Sequence, residues 1–348
     1  ELRARLRAGD VRRANDLITL NLDITQFIQA AIEAAEDPAL VAAVWQALQE
    51  VTVLDPTCGS GAFLFAALNL LEPLYEACLE RMQSFCEEAP ATRFAHAETF
   101  RSTLALAGNT ALHPNRRYFV LKTIILRNLY GVDIMEEAVE ICRLRLFLKL
   151  AAQVEAGERI EPLPDIDLNI RAGNTLVGFT TLAEVEEALT AQKEGTAATG
   201  ERAMQRMMLD AHPEVAAALA SIRDGAEIVE RAYAEFQRQQ TEENMRPADY
   251  AGGKQALLAR LERLDETLHR ALAHTYGVDP DGPGYAAWLA SHRPFQWLTA
   301  YYGIMKRGGF DVIIGNPPYV SRTKVDYTCP SQYRTLSTGN LYALVMER

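Results

Sequence analysis

Val51-Thr52-Val53-Leu54-Asp55-Pro56-Thr57-Cys58-Gly59-Ser60-Gly61-Ala62-Phe63 decides how this chain is read. The first four residues are mostly β-branched and stop at an acid and a proline, which describes a buried strand entering a tight turn. A helical pattern opens at Ala62, so the segment is strand, turn and helix. Gly59 and Gly61 let the backbone approach a ligand closely. The helix N-terminus behind them offers free N–H groups to an anion, which can be a carboxylate as well as a phosphate. Asp55, at the strand's end, can accept from an amine or a hydroxyl. The run is not G-x-G-x-x-G, and no Gly-Lys-Ser/Thr follows, so neither the dinucleotide fingerprint nor a Walker loop is met. Strand–turn–helix units with glycine and no ligand are common, and the segment alone leaves that reading open.

Downstream, Leu129-Tyr130-Gly131-Val132 before Asp133-Ile134 is a second strand. Glu136 to Leu150 then repeats Val139, Cys142, Leu146 and Leu150 on one helical side. Leu168 to Ile170 is a weaker strand, followed by Ala172-Gly173-Asn174, and Phe310 to Ile314 is the clearest strand of all. Strands alternating with helices predict an α/β fold with a mainly parallel sheet. In doubly wound folds an acid at the second strand's end takes ribose hydroxyls. Asp133 stands there, but it lies 72 residues beyond Gly61, against the usual ~20. That spacing calls for an insertion, and residues 80–120 look irregular enough to be one. Taken alone, Asp133 also reads as a helix cap, and Asn174 as an ordinary turn residue that can instead read an adenine amino group.

Upstream, residues 1–50 are helical: Asn21 or Asp23 can cap a helix through Phe27, Ile28, Ala31 and Ile32. A second begins near Pro38 and carries Val41, Val44, Trp45 and Leu48 on one face. Residues 180–299 interrupt the alternation. Val215, Leu219, Ile222, Ala226, Val229, Tyr233 and Phe236 recur at spacings of 4 and 3, as do Leu257, Leu261, Leu264 and Leu268. A breaker region, Arg246-Pro247 through Gly252-Gly253, separates them. This predicts two long helices in an antiparallel hairpin, whose apolar stripes are packing seams without chemistry.

After the last strand stands Asn316-Pro317-Pro318-Tyr319. Two prolines lock an extended turn and remove two N–H donors. The Asn316 side-chain oxygen and the Pro317 carbonyl can then both accept from one –NH2 group, polarising a weakly nucleophilic amine. Tyr319 offers a flat face to a base. Average residue usage gives this tetrapeptide by chance odds on the order of one in a thousand in such a chain, so a purely structural Pro-Pro turn is the weaker reading.

Composition bounds the rest. With 49% hydrophobic residues the chain can bury a sizeable core, which excludes a disordered chain, and no stretch was expected to approach a membrane span. Five cysteines without C-x-x-C spacing and six scattered histidines assign no disulfide framework and no metal. The start, Glu-Leu-Arg-Ala-Arg, lacks Met and a signal-peptide core, so the expectation is part of a longer cytoplasmic protein. A net charge of −11 argues against a DNA-wrapping surface. Yet residues 301–348 hold six basic residues against three acidic ones, a local +3 that leaves −14 elsewhere. That cluster surrounds the tetrapeptide, unless it is a chance fluctuation of surface charge.

Together these residues resemble the class I S-adenosylmethionine-dependent methyltransferases. More closely they resemble the DNA adenine enzymes in which the cofactor motif precedes the catalytic one. The long helical insert, Gly308 through Val320 and Gly339 through Arg348 look like the large type IIG restriction–modification methylases and the methylases of phage-defence islands. The resemblance covers residues 10–180 and 290–348. It implies a Rossmann-like methyltransferase sheet, incomplete at the C-terminus, and four parts: a helical segment (1–50), a cofactor-binding half (51–179), a helical-hairpin insertion (180–299) and a catalytic part (300–348). It implies that Asp55, Thr57, Cys58, Gly59 and Gly61 line the cofactor, that Asp133 binds ribose with Ile134 packed on the adenine ring, and that Asn174 lies near the adenine amine. Asn316, Pro317 and Pro318 would present the target amine, with Tyr319 stacked on a base flipped from double-stranded DNA. The implied activity is methyl transfer from S-adenosylmethionine to N6 of adenine in a restriction–modification or phage-defence system, with defence subunits as further partners. Thr57 departs from the Gly of many methyltransferases, the upstream Tyr-Thr-Pro-like cofactor motif is absent, and the expected fragment lacks part of its sheet and its sequence reader. Two alternatives stand beside this: the same tetrapeptide on glutamine side chains or RNA bases, and a non-catalytic cofactor-binding component of a defence complex.

Overall fold

Aspartates open the first helices. In the computed structural model, which describes residues 8–9, 16, 23–88, 94–155, 163–194, 213–242, 247–330 and 333–348, Asp23 caps α1 (Ile24–Glu33) by accepting from the Gln26 N–H at 3.0 Å. Asp37 caps α2 (Pro38–Glu50), with Pro38 in the first turn, where its missing N–H costs nothing. Asn21, the other expected cap, lies outside the described residues.

By its packing the chain divides into two units: residues 1–52, 65–129 and 146–164, and residues 53–64, 130–145 and 165–348. The first is helical. It holds most of α3 (Ala62–Glu88), with α4 (Ala97–Ala107) and α5 (Arg116–Arg127). Residues 80–120, expected to be irregular, are therefore largely helix. At the end of that stretch the sequence concealed α5, which is buried all round from Tyr118 through Leu126 and so shows no amphipathic stripe. Asn128, fully buried at its end, donates to the Leu48 and Val51 carbonyls at 2.7 Å each, and its Oδ1 accepts from the Tyr75 hydroxyl at 3.0 Å. The expectation that no stretch would suffice for a membrane span is corrected: α3 is long and apolar enough by composition. Half of its apolar window is nevertheless buried by packing, and Glu72 within it pairs with Arg117 at 2.7 Å and Lys149 at 3.5 Å.

The second unit holds a four-stranded sheet built from β1 (Val53–Asp55), β2 (Leu129–Asp133), β3 (Ile170–Ala172) and β4 (Val312–Ile313) in the order β3-β2-β1-β4. β1 and β4 are parallel, with Val53 opposite Val312 and Leu54 opposite Ile313. β2 and β3 are parallel, with Asp133 opposite Ala172. The order reverses at β1, and such a reversal opens a crevice at the carboxyl ends of the strands. β3 starts two residues later than Leu168, because Asn169 and Ile170 both donate back to the Ile166 carbonyl and turn that stretch. β4, expected to be the clearest strand, is the shortest. It lies at the sheet edge, and its two residues are 43% and 67% exposed. Leu54, Tyr130 and Val132 pack against Phe295, Trp297, Tyr301 and Ile304.

α6 (Glu136–Ala151) follows β2, and α7 (Leu182–Glu194) follows β3. The expected long helices are α8 (Pro213–Glu242) and α9 (Pro247–Thr275). Val229 and Phe236 of α8 join Leu257 and Leu261 of α9 in one apolar cluster, and Ile222, Ala226 and Leu268 share a core with Leu176, Val177, Leu341 and Leu344. The apolar stripes are thus packing seams. The breaker reading is corrected: α9 begins at Pro247 and continues through Gly252 and Gly253. Proline suits a first turn, and ~1 kcal/mol per glycine is small beside the packing of so long a helix. α10 (Tyr285–His292), α11 (Trp297–Ala300) and α12 (Tyr302–Lys306) lead into β4, and α13 (Leu341–Glu347) closes the described chain.

Candidate active site

The four strand ends carry Asp55, Asp133, Asn174 and Asn316. Asp55 is 1% exposed. Its Oδ1 accepts from the Thr57 N–H at 3.1 Å, while Oδ2 is buried and accepts nothing. Burial raises the carboxyl pKa to about 6, against the lowering influence of the Thr57 N–H and with a smaller upward push from the Asp133 charge. Thr57 Oγ1 is likewise buried without a hydrogen-bond partner. Gly59 has φ +51°, and a Cβ there would meet nothing within 4 Å, so the turn is open at this point.

Asp133 is both cap and clamp. Its Oδ2 accepts from the Gly59 N–H at 2.8 Å and its Oδ1 from the Met135 N–H at 2.9 Å, which ties the turn after β1 to the start of α6. Each oxygen keeps a lone pair for a further donor. Two residues expected to line a ligand also pack against α6. The Cys58 side chain is buried, its thiol is held against Cys142 with its pKa raised mainly by that contact and by burial, and its N–H donates to the Val132 carbonyl at 2.9 Å. Gly61 is glycine for packing: a Cβ there would lie 2.5 Å from Cys142 Sγ. Both are expected ligand contacts, and in the structure they also seat α6 against the turn.

Asn174 is buried, and its Oδ1 accepts from the Leu176 N–H at 3.1 Å. Its own N–H donates to the Arg293 carbonyl at 2.8 Å. Arg293, which sequence reasoning missed, adopts the left-handed conformation at φ 44°, costing about 1–2 kcal/mol. Its guanidinium donates to the Ile134 carbonyl at 2.9 Å and lies 3.6 Å from Glu136. One strained residue thus joins the ends of β2 and β3. No spacing in His-Arg-Pro announced it. Arg145 was also missed; it donates to the Ser60 carbonyl at 2.7 Å.

The tetrapeptide meets this turn through Gly315. The Ile314 N–H donates to the Leu54 carbonyl at 2.9 Å. A Cβ on Gly315 would stand 2.8 Å from Asp55 Oδ1 and 3.5 Å from Thr57 Oγ1. Gly315 was legible only as part of the motif's frame; its contact with Asp55 follows from strand order. Asn316 and Pro318 are exposed and Pro317 half-buried. Among the described residues nothing hydrogen-bonds to the Asn316 side chain or the Pro317 carbonyl. Tyr319 is 78% exposed and its ring lies 5.4 Å from that of Tyr342. A buried carboxylate oxygen and a buried hydroxyl, both without hydrogen-bond partners, beside an open glycine turn suit a ligand bearing a cationic amine.

The profile of the Eco57I restriction-modification methylase family matches residues 127–348, and that of the MmeI DNA-methyltransferase domain matches residues 31–192. A Methanocaldococcus jannaschii protein that carries the name of a type II restriction enzyme and methyltransferase is 27% identical over 342 residues, covering 88% of this chain. The chain spans about a quarter of that relative's length, 25%.

Proposed function

We propose that this chain, which belongs to the Eco57I restriction-modification methylase family, carries the site that methylates N6 of adenine in double-stranded DNA. S-adenosylmethionine, when bound, supplies a methyl group on a sulfonium, already a good electrophile. The pairing of β1 with β4 supports the reading, because it sets Gly315, the residue before the tetrapeptide, against Asp55 and Thr57. Asp55 and Thr57 hold the amine-bearing end of the cofactor, Asp133 takes ribose hydroxyls, Ile134 lies on the adenine ring and Asn174 reads its amine. Asn316 Oδ1 and the Pro317 carbonyl accept the two N–H groups of the target amine and aim its lone pair; as the N–C bond forms, the methyl–sulfur bond would break to leave a neutral thioether and one N6 proton would pass to water, so catalysis is alignment and charge acceptance. Flipping the base costs a few kcal/mol, and stacking on Tyr319 returns ~1–3 kcal/mol. Residues 51–179 and 300–348 form the two halves of a Rossmann-like methyltransferase domain, 180–299 its insertion. The protein works in the cytoplasm within a restriction–modification or phage-defence system.

The test uses the intact protein with tritiated S-adenosylmethionine and a mixture of unmethylated DNA, RNA and protein. Label is expected on adenine N6 of DNA; label in protein or RNA but not DNA overturns the reading. Asn316→Ala is expected to cut transfer about a hundredfold or more while cofactor binding stays. Unchanged transfer would show that the tetrapeptide is not the catalytic group.

A further inference from the structure

Tyr319 does not stand alone. Beyond it the chain zips against the segment before α13: the Arg322 N–H donates to the Gly339 carbonyl at 2.8 Å, the Leu341 N–H to the Val320 carbonyl at 3.0 Å, and Ser321 pairs antiparallel with Asn340. In that register Tyr319 falls opposite Tyr342. The two rings sit 5.4 Å apart at 35°, a separation typical of paired aromatics. Tyr342 is anchored, because its helix neighbours Leu341, Ala343 and Leu344 are all buried. The intervening loop is anchored too. The Tyr333 hydroxyl donates to the Leu176 carbonyl at 3.0 Å, and the Glu347 carboxylate accepts from the Arg334 and Thr335 N–H groups at 2.7 and 2.8 Å. Tyr319 is therefore an exposed side chain, 78% accessible, whose ring lies against that of half-buried Tyr342.

We propose that Tyr342 is a positioning residue that backs Tyr319 on one face, so that the other face is the platform for the flipped base. The inference rests on the methyltransferase reading of the site. Rings this close leave no room for a base between them, so the arrangement is a buttress, not a clamp. Unsupported, an exposed tyrosine would sample several rotamers and stack in only some of them. The aromatic pair removes those alternatives before DNA arrives.

The intact protein is assayed on unmethylated plasmid DNA as wild type, Tyr342→Phe, Tyr342→Leu and Tyr342→Ala. Leu and Ala are expected to lower kcat/KM for DNA about tenfold, with Phe within about twofold of wild type. KM for S-adenosylmethionine should not move in any variant, and the thermal midpoint of Tyr342→Leu should stay near that of wild type. Wild-type activity in Tyr342→Leu and Tyr342→Ala overturns the proposal. So does a loss in Phe equal to that in Ala, or a loss accompanied by a matching rise in cofactor KM, since either marks a general structural role. If wild type itself labels no DNA, it is the methyltransferase reading that fails.

Discussion

Asp55 holds an unusual carboxyl. Raising its pKa from 3.8 to about 6 corresponds to about 3 kcal/mol against the charged form. The native state binds this proton more tightly than the unfolded chain does, so this group adds stability as pH falls from about 6 toward 4. A cationic ligand amine favours the opposite, charged state. Affinity for S-adenosylmethionine is therefore expected to weaken roughly tenfold per pH unit below about 6 and to level off above it. Titration calorimetry from acid to neutral pH checks this, and Asp55→Asn should flatten the profile; a flat profile in wild type would separate Asp55 from the ligand. At this scale the sequence was informative where chemistry is local. Asp55 ends a strand and Asn316 precedes two prolines, and both are visible in a dozen residues. Cys58 and Gly61 sit in the same turn, yet they face Cys142, more than 80 positions away. Arg293 could not be found at all, since its strain and its bond to Ile134 arise only once β2 and β3 are side by side.

Elements were legible in proportion to their exposure. The stripes of α8 and α9 recur at helical spacing because one face is wet. α5 has no wet face, so its helix was hidden. β4 misled in the other direction, because the apolar run Val312-Ile313-Ile314 promises a well-buried strand, whereas Val312 and Ile313 lie at the sheet edge and pair with β1 alone among the described strands. Between elements, Asn128 acts as a rivet: one amide serves two carbonyls of the α2 end and receives the Tyr75 hydroxyl. Asn128→Ala strips the amide from the Val51 and Leu48 carbonyls, of which Leu48 keeps the Tyr75 hydroxyl at 2.7 Å, and is expected to cost about 1–3 kcal/mol, read as a lower urea midpoint with an unchanged slope. A loss below about 0.5 kcal/mol would mean that water replaces the amide.

For the whole molecule, charge and topology matter most. The chain carries −11, yet the segment after the tetrapeptide is basic. Lys306 is committed to Glu227 at 2.9 Å, whereas Arg322 and Lys324, close beyond Tyr319, have no ion-pair partner among the described residues. Double replacement of these two by Ala is expected to weaken DNA binding across all sequences and to reduce the salt slope by about 2. An unchanged slope in a filter-binding series over salt would remove them from the phosphate contacts. The gathering of the parallel strands into one sheet was foreseeable from alternating strands and helices, but their order β3-β2-β1-β4 was not, because pairing partners leave no mark on local sequence. That order has a consequence in time. Val53 pairs with Val312, so on the order of 260 residues separate the two walls of one site. At ~5–20 residues per second of synthesis, Asp55 is made about 13–50 s before Asn316. During that interval the hairpin helices, whose contacts are local, can fold first. A growing chain thus carries the turn after β1 well before the strand that pairs with it exists, so any site the two walls share forms only once translation has passed β4.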